Sequence, residues 1–356
     1  MRRSIKHLFN TLRPDRLVTS LPTWSGDAIR LTKGAATYYK TGFTPDSAYQ
    51  SLINLHCRTQ GYSNDFLSWF LEVCRPPSAL PNADGILGNL TPHDIDRITG
   101  EIRENGYYIF SNLLADDICE RLRDFALTAE CAPFPRRESA PERTSYNRDQ
   151  PIAENYRFAE QTLLDNPDIQ KLLSDHSILA VAQAYVKTSP ILDIVAMWWS
   201  TAFGTTASSQ AAQLYHFDMD RIKWLKFFFY LTDVTPKNGP HCYVAKSHKR
   251  KGQPRHLLSR GYARIPDKEI ELFYGADDIK EITGPRGTIF VADTRGFHKG
   301  KLPESSDRLV LQFEFCNNLF GGAYTKSRLR NDYDPHLLEL ATRYRRIFSK
   351  FEVNGA

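Results

Sequence analysis

The sequence predicts an α+β protein: a double-sheet barrel of many short strands, braced by helices and preceded by a helical N-terminal extension. Three observations carry that expectation. From Ile191 onward the chain breaks into short apolar runs separated by turn signals such as Lys237-Asn-Gly-Pro240 and Gly284-Pro-Arg-Gly287. Before Ile191 the apolar residues recur mainly with helical spacing. Between Arg75 and Gly85, three prolines and a glycine interrupt the pattern and mark a boundary. We therefore expect an extension over residues 1–85, a barrel domain over 86–320 and a helical segment over 321–356 that packs back on the core.

Length and composition agree with this plan. A chain of 356 residues with 41% hydrophobic and 24% charged side chains can build a full core, which excludes disorder as its main theme. The longest stretch free of charge, residues 194–217, contains Ser200, Thr201, Thr205 and Gln210, so no transmembrane span is expected. The excess of 46 Lys and Arg over 41 Asp and Glu is too small to argue for a nucleic-acid partner. Six cysteines without paired spacing read as reduced thiols in a cytoplasmic protein.

The elements follow in order. Ile5, Leu8, Phe9 and Leu12 make a short basic amphipathic helix; a membrane-surface contact through residues 1–16 is the weaker reading, and packing on the domain the stronger. Helices are expected at residues 47–55 and 65–74. Thr91-Pro-His-Asp94 caps a helix over 95–104 that Asn105-Gly106 stops. A strand at 107–110 and a helix at 116–130 come next, then a loop over 132–150 rich in Pro, Arg, Glu and Ser, suited to covering a site. Helices at 168–173 and 178–185 precede strands at 191–201, 213–218, 225–232, 242–244, 288–292 and 309–315. A helix over 335–351 closes the chain.

The chemistry concentrates in the strand region. On a strand, His216 and Asp218 of Gln213-Leu-Tyr-His-Phe-Asp218 point to one face while Phe217 points to the other. The run Gly287 to Gly300 ends a strand in a third donor, His298. Two histidines and one carboxylate on one face leave three neighbouring coordination positions, an arrangement suited to non-haem Fe(II) and O2. Ten residues later Arg308 opens a strand that alternates Arg308, Val310, Gln312 against Leu309, Leu311, Phe313. A guanidinium inside a barrel near a metal needs an anion, and its planar fork suits the far carboxylate of a dicarboxylate. A zinc hydrolase would use the same three donors but gives no reason for Arg308.

From about Ile95 to Phe315 the chain resembles the phytanoyl-CoA dioxygenase family of Fe(II)/2-oxoglutarate oxygenases. The likeness rests on Glu104-Asn-Gly-Tyr-Tyr-Ile-Phe-Ser-Asn-Leu-Leu114, His216-Phe-Asp218, Phe227-Phe-Phe-Tyr-Leu-Thr-Asp-Val234 with Asn238-Gly-Pro240, Ala245-Lys-Ser-His248, and Asp293-Thr-Arg-Gly-Phe-His298 with Arg308, in that order. The resemblance implies a double-stranded β-helix, a cupin-like jelly roll. It also implies that His216, Asp218 and His298 hold Fe(II), that Arg308 clamps the C5 carboxylate of 2-oxoglutarate, and that Phe228, Lys226 and Tyr230 contact this cosubstrate. Consumption of O2 and 2-oxoglutarate would give succinate and CO2 with hydroxylation of a C–H bond in a small or carrier-linked substrate of natural-product, lipid or sugar type. A non-catalytic ligand-binding or regulatory member of the fold is the alternative. Gly300 stands where the family often has a hydroxyl, so one cosubstrate hydrogen bond has to come from elsewhere.

Among the remaining candidates, His241 is placed to reach the pocket and His248 reads as structural. His56, His93, His176 and His256 read as surface residues. Of Trp198 and Trp199, one should face the core and the other line a pocket. The basic run from Lys246 to Arg255 reads as a solvated loop, with attraction of a phosphate or acyl-carrier substrate as its functional alternative.

Overall fold

A computed structural model describes residues 24–138 and 140–353. The amphipathic stretch at residues 5–12 lies outside them. Three helices lead, α1 (Trp24–Thr41), α2 (Asp46–Thr59) and α3 (Tyr62–Cys74). After the proline-rich break come α4 (Pro92–Asn105), β1 (Tyr107–Leu113), α5 (Asp116–Thr128), β2 (Cys131–Phe134) and β3 (Asn155–Phe158). Helices α6 (Glu160–Leu164), α7 (Pro167–Leu173) and α8 (His176–Val186) precede β4 (Ile191–Ser200), β5 (Trp224–Tyr230) and β6 (His241–Val244). Two single-turn helices, α9 (Arg255–Leu258) and α10 (Asp267–Ile270), lead into β7 (Ile279–Ile282), β8 (Thr288–Ala292), β9 (His298–Gly300) and β10 (Arg308–Cys316). A two-residue strand pair, β11 (Arg328–Leu329) with β12 (Glu352–Val353), encloses α11 (Pro335–Arg343).

The strands form a seven-stranded sheet in the order β1-β8-β5-β10-β4-β3-β2 and a three-stranded sheet in the order β7-β6-β9. These two sheets are the expected double-sheet jelly roll, with a cavity between them. The outer face of the large sheet, including Leu192, Phe227, Phe229, Leu311 and Phe313, packs against helices α5 to α8 in the main core. Ala48, Leu52 and Ile53 of α2 share a second core with Phe217, Trp224 and Phe297, so the N-terminal helices back the segments that carry the metal donors.

Local chemistry accounts for the element boundaries. Thr91 Oγ1 accepts from the Asp94 amide at 3.2 Å while the Asp94 carboxylate accepts from the Thr91 amide at 3.0 Å, a reciprocal cap that starts α4. Gly106 ends α4 at φ +90°, and a Cβ there would stand 2.2 Å from the Tyr243 hydroxyl, so both backbone and packing require glycine.

Three expectations are corrected. Residues 213–218 make no ladder strand; Tyr215 bridges Ile265 and His216 bridges His298 singly, because each flank meets a different partner segment. The final helix stops at Arg343 rather than residue 351, since the Ile347 carbonyl accepts from the Leu192 amide at 2.8 Å and is taken out of helical bonding. The loop over 132–150 begins within strand β2 and is anchored by Tyr146 and Arg148, which both donate to Asp307, at 3.0 and 2.7 Å.

Candidate metal centre

His216 and His298 face each other across their bridge, each amide donating to the other's carbonyl, at 3.0 and 2.8 Å. Their rings lie 4.3 Å apart, and together with Asp218 they offer ligand atoms that all fall within 4.8 Å of one another. Asp218 is held by its amide, which donates to the Thr294 carbonyl at 2.7 Å. Each histidine is also locked in tautomer. His216 Nδ1 donates to the Leu214 carbonyl at 3.0 Å and His298 Nδ1 to the Gly296 carbonyl at 2.9 Å. Both Nε2 atoms are thereby left as bare donors facing the Asp218 carboxylate, at 3.7 and 3.4 Å.

The electrostatics favour the ligating forms. Burial, with His298 and Arg264 nearby, pushes His216 well below the ordinary imidazole value and keeps it neutral. Burial alone would raise the Asp218 carboxyl, but the Lys226 ammonium and the neighbouring histidines override it and hold Asp218 well below the usual carboxylate range. Lys226 Nζ donates to Asp218 Oδ2 at 2.7 Å and to Asp220 Oδ2 at 3.1 Å, and stands 3.2 Å from Glu314 Oε2. Although burial opposes it, these carboxylates keep the ammonium charged well above its ordinary value.

A cavity of about 370 Å³ opens beside these donors, within the range of a small-ligand site. Arg308 lines it. One guanidinium nitrogen donates to the Gly239 carbonyl and the other to Ser200 Oγ at 3.2 Å, while Nε, fully buried, has no partner. Among the described residues no carboxylate pairs with Arg308, and burial lowers its pKa. The Asn238-Gly-Pro240 turn makes this cradle: the Asn238 amide group donates to Asp233 and its carbonyl oxygen accepts from the Thr235 amide, and Gly239 sits at φ +82° with its carbonyl aimed at Arg308. Gly300 leaves room beside the guanidinium, a Cβ there standing 3.4 Å from Nη2. Ser200, whose hydroxyl accepts from Arg308, lies directly opposite it in the β10–β4 register.

The donor set fits the metal the sequence implies: two imidazoles and one ionised carboxylate, oriented by second hydrogen bonds, suit Fe(II) with open positions toward the cavity. An unpaired buried guanidinium in the same cavity fits the remote carboxylate of 2-oxoglutarate.

A family model, phytanoyl-CoA dioxygenase (PhyH), matches residues 102–308, a span that contains all three donors and ends on Arg308. The chain belongs to this family. Its members are Fe(II)/2-oxoglutarate-dependent oxygenases. No curated protein matches the chain significantly. Solved structures with a similar arrangement include HygX from Streptomyces hygroscopicus with nickel and 2-oxoglutarate bound, 17% identical with a TM-score of 0.45 over 67% of this chain and 91% of that one. The carbocyclase SnoK from nogalamycin biosynthesis is 15% identical with a TM-score of 0.44, covering 67% of this chain and 87% of that one. EctD from S. alaskensis with bound Fe is 17% identical with a TM-score of 0.43, covering 68% and 83%.

The other expected residues divide. Phe228 and Lys226 line the cavity, but Lys226 is engaged by carboxylates on the metal side. Tyr230 lies behind the cavity wall, where its hydroxyl donates to the Ile282 carbonyl at 2.8 Å and accepts from the His241 amide at 3.1 Å. His241 does reach the cavity; its ring stacks on His298 at 5.4 Å and its buried Nε2 has no partner. Trp198 lines the cavity and Trp199 is in the core, donating to the Ala126 carbonyl at 3.1 Å. His56 is not a surface residue: it is buried, stacks on Phe217, and donates from Nδ1 to Asn64 at 3.2 Å. Three cavity cations were not anticipated: Lys301, which is paired with Glu281 at 2.8 Å, and Arg157 and Arg264, which meet no carboxylate among the described residues. Arg157 was legible only through strand β3, a four-residue run that composition alone does not announce.

Proposed function

We propose that this protein is an Fe(II)/2-oxoglutarate-dependent hydroxylase, which oxidises an unactivated C–H bond of a small or carrier-linked organic substrate with release of succinate and CO2. The observation that carries the proposal is Arg308: a buried guanidinium with an unsatisfied Nε and, among the described residues, no carboxylate partner, opening into the cavity that the metal donors also face. Such a group is unfavourable in the free protein and becomes favourable when a ligand carboxylate enters.

The chemistry that a bound Fe(II) supplies is O2 activation coupled to oxidative decarboxylation of 2-oxoglutarate. The rest is the work of the chain. His216, Asp218 and His298 would hold the ion on one side only, leaving the cavity side open. Lys226 keeps Asp218 ionised and fixes its orientation. Arg308 anchors the C5 carboxylate and so aims the keto-acid end at the metal; Phe228, stacked on Phe290 at 4.8 Å, provides the apolar wall along its methylenes and excludes water there. Cys57, Cys74, Cys119, Cys131, Cys242 and Cys316 are all unpaired, which suits a cytoplasmic setting. No helix among the described residues is long and apolar enough to cross a membrane.

The test is succinate formation from 2-oxoglutarate in the presence of Fe(II) and O2 without added substrate. Slow uncoupled turnover that disappears in His216→Ala is expected. Absence of any metal-dependent 2-oxoglutarate binding or turnover would overturn the proposal in favour of a non-catalytic binding protein.

A further inference from the structure

Two of the three fully buried arginines among the described residues are paired with carboxylates, and the third, Arg308, faces the cavity. Arg221 meets Asp193 at 2.6 Å and Arg295 meets Asp293 at 2.5 Å. The cavity holds three arginines with no carboxylate partner among the described residues: Arg308, Arg157 and Arg264. The first is accounted for by 2-oxoglutarate. The other two are not.

Arg157 and Arg264 reach the same cavity from separate segments of the chain. Arg157 projects from β3, whose register with β4 sets it against Trp198, and its guanidinium lies 3.5 Å above the Phe134 ring. On the same ladder Asn155 pairs with Ser200, which pairs in turn with Arg308 on β10. Arg157 is therefore two strands and two residues from Arg308, roughly 12 Å away at strand spacings of about 4.8 Å and a rise of about 3.3 Å per residue. Arg264 comes from the segment that bridges Tyr215. Its neighbour Ile265 exchanges backbone hydrogen bonds with Tyr215, at 3.0 and 2.8 Å, which fixes Arg264 beside the segment that carries His216. Its Nη1 is buried without a partner. The two cations also sense each other, for burial and then the Arg264 charge lower the Arg157 pKa to about 10.

Two like charges on a shared, partly dry wall repel, and the arrangement becomes favourable only when an anion sits between them. The Phe134 ring holds the Arg157 plane so that its fork stays available. We propose that the substrate of this oxygenase is an anion, bound through a carboxylate or phosphate group by Arg157 and Arg264, with the carbon to be oxidised lying between that clamp and the metal. The inference rests on the function proposed above, in that Arg308 is taken to be filled by 2-oxoglutarate.

The test uses the full chain with Mn(II) and saturating 2-oxoglutarate under anaerobic conditions, so that Arg308 is occupied. Inorganic phosphate and, separately, acetate are titrated calorimetrically at constant ionic strength. One anion per chain is expected to bind, at least tenfold more weakly in Arg157→Gln or Arg264→Gln, with the 2-oxoglutarate affinity unchanged within twofold. Arg157→Lys, which keeps the charge, should retain more binding than Arg157→Gln, and this separates the clamp from a folding defect. The probe that binds more tightly identifies the group, phosphate or carboxylate. Absence of anion binding to the saturated protein, or binding insensitive to both Gln variants, overturns the inference. Failure of 2-oxoglutarate itself to bind overturns the oxygenase proposal instead, and the phosphate titration of wild type against Arg157→Gln still decides the clamp.

Discussion

Replacing Arg308 with methionine separates a binding role from a structural one, because the two roles predict opposite balances of stability and affinity. In the free protein the substitution removes two hydrogen bonds, to the Gly239 carbonyl and to Ser200 Oγ. Hydrogen bonds of a charged group contribute about 1.5–3 kcal/mol each. It also removes an unpaired buried cation whose Nε is unsatisfied, and desolvating such an ion costs several kcal/mol. The two effects nearly cancel, so urea denaturation should show a stability change within about 2 kcal/mol. Binding of 2-oxoglutarate has no such offset. Truncating one partner of a buried, hydrogen-bonded charge pair costs about 2–5 kcal/mol, and a central value of about 3 kcal/mol is a loss of roughly 100-fold in affinity. Anaerobic calorimetry with Mn(II) in place of Fe(II) reads that loss directly. A variant that is strongly destabilised yet binds 2-oxoglutarate with its full affinity would refute the reasoning, since it would make Arg308 a structural residue.

Three further outcomes follow from the site. Lys226→Met leaves Asp218, Asp220 and Glu314 close together without their shared cation; chemical denaturation should show a loss of about 3 kcal/mol, the scale for breaking a buried pair, that added Mn(II) partly restores and that Lys226→Arg largely avoids. His56, which burial pushes down to about 4 from the ordinary imidazole value of 6.5, makes folding pH-dependent. Above pH 6.5 both states are neutral there; between 6.5 and 4 the unfolded chain binds the proton more readily, so stability falls with falling pH by about 3 kcal/mol in total. The pH profile of unfolding should flatten in that window in His56→Gln, and an unchanged profile would show that other groups set it. Gly296→Ala would place a Cβ 2.2 Å from the Tyr243 hydroxyl and 2.8 Å from Ser247 Oγ. It should cost about 1–3 kcal/mol by overpacking and weaken Mn(II) binding, because the Gly296 carbonyl is what holds His298 Nδ1.

Much of this was legible because strand alternation is a strong constraint. The alternation of β10 turned Arg308 and Gln312 to the cavity, as observed, whereas His216 and Asp218 converge through a singly bridged segment and not through the strand that alternation assumed. The turn Asn238-Gly-Pro240 was readable as a turn, although its use as the acceptor for Arg308 was not, since that contact spans 69 residues. Lys226 was expected on the cosubstrate side because the family resemblance placed Phe228 there and alternation put Lys226 on the same face. Its partner Glu314 comes through the register of β10 with β5, and its partner Asp220 from the loop after the donors. Neither relation is encoded locally. His56 was misplaced for the same reason: on helix α2 it has no partner at helical spacing, and its acceptor Asn64 arrives from α3.

The least legible feature is the one the substrate clamp depends on. A residue's type and its face can be read from a pattern, but lack of a partner is a property of the completed fold. Arg221 and Arg308 are both arginines in strand-rich sequence, and only the structure shows that one meets Asp193 and the other no carboxylate. Arg157 is harder still, because β3 has four residues and its pattern is too short to announce a strand. Once β3 is paired with β4, the same alternation that reveals Arg308 puts Asn155 and Arg157 along the cavity wall. The free energy of leaving such cations unpaired is then a statement about a ligand. A fold that neutralises Arg221 and Arg295 internally, and leaves uncompensated guanidiniums along the wall of one cavity, reserves that cavity for anions.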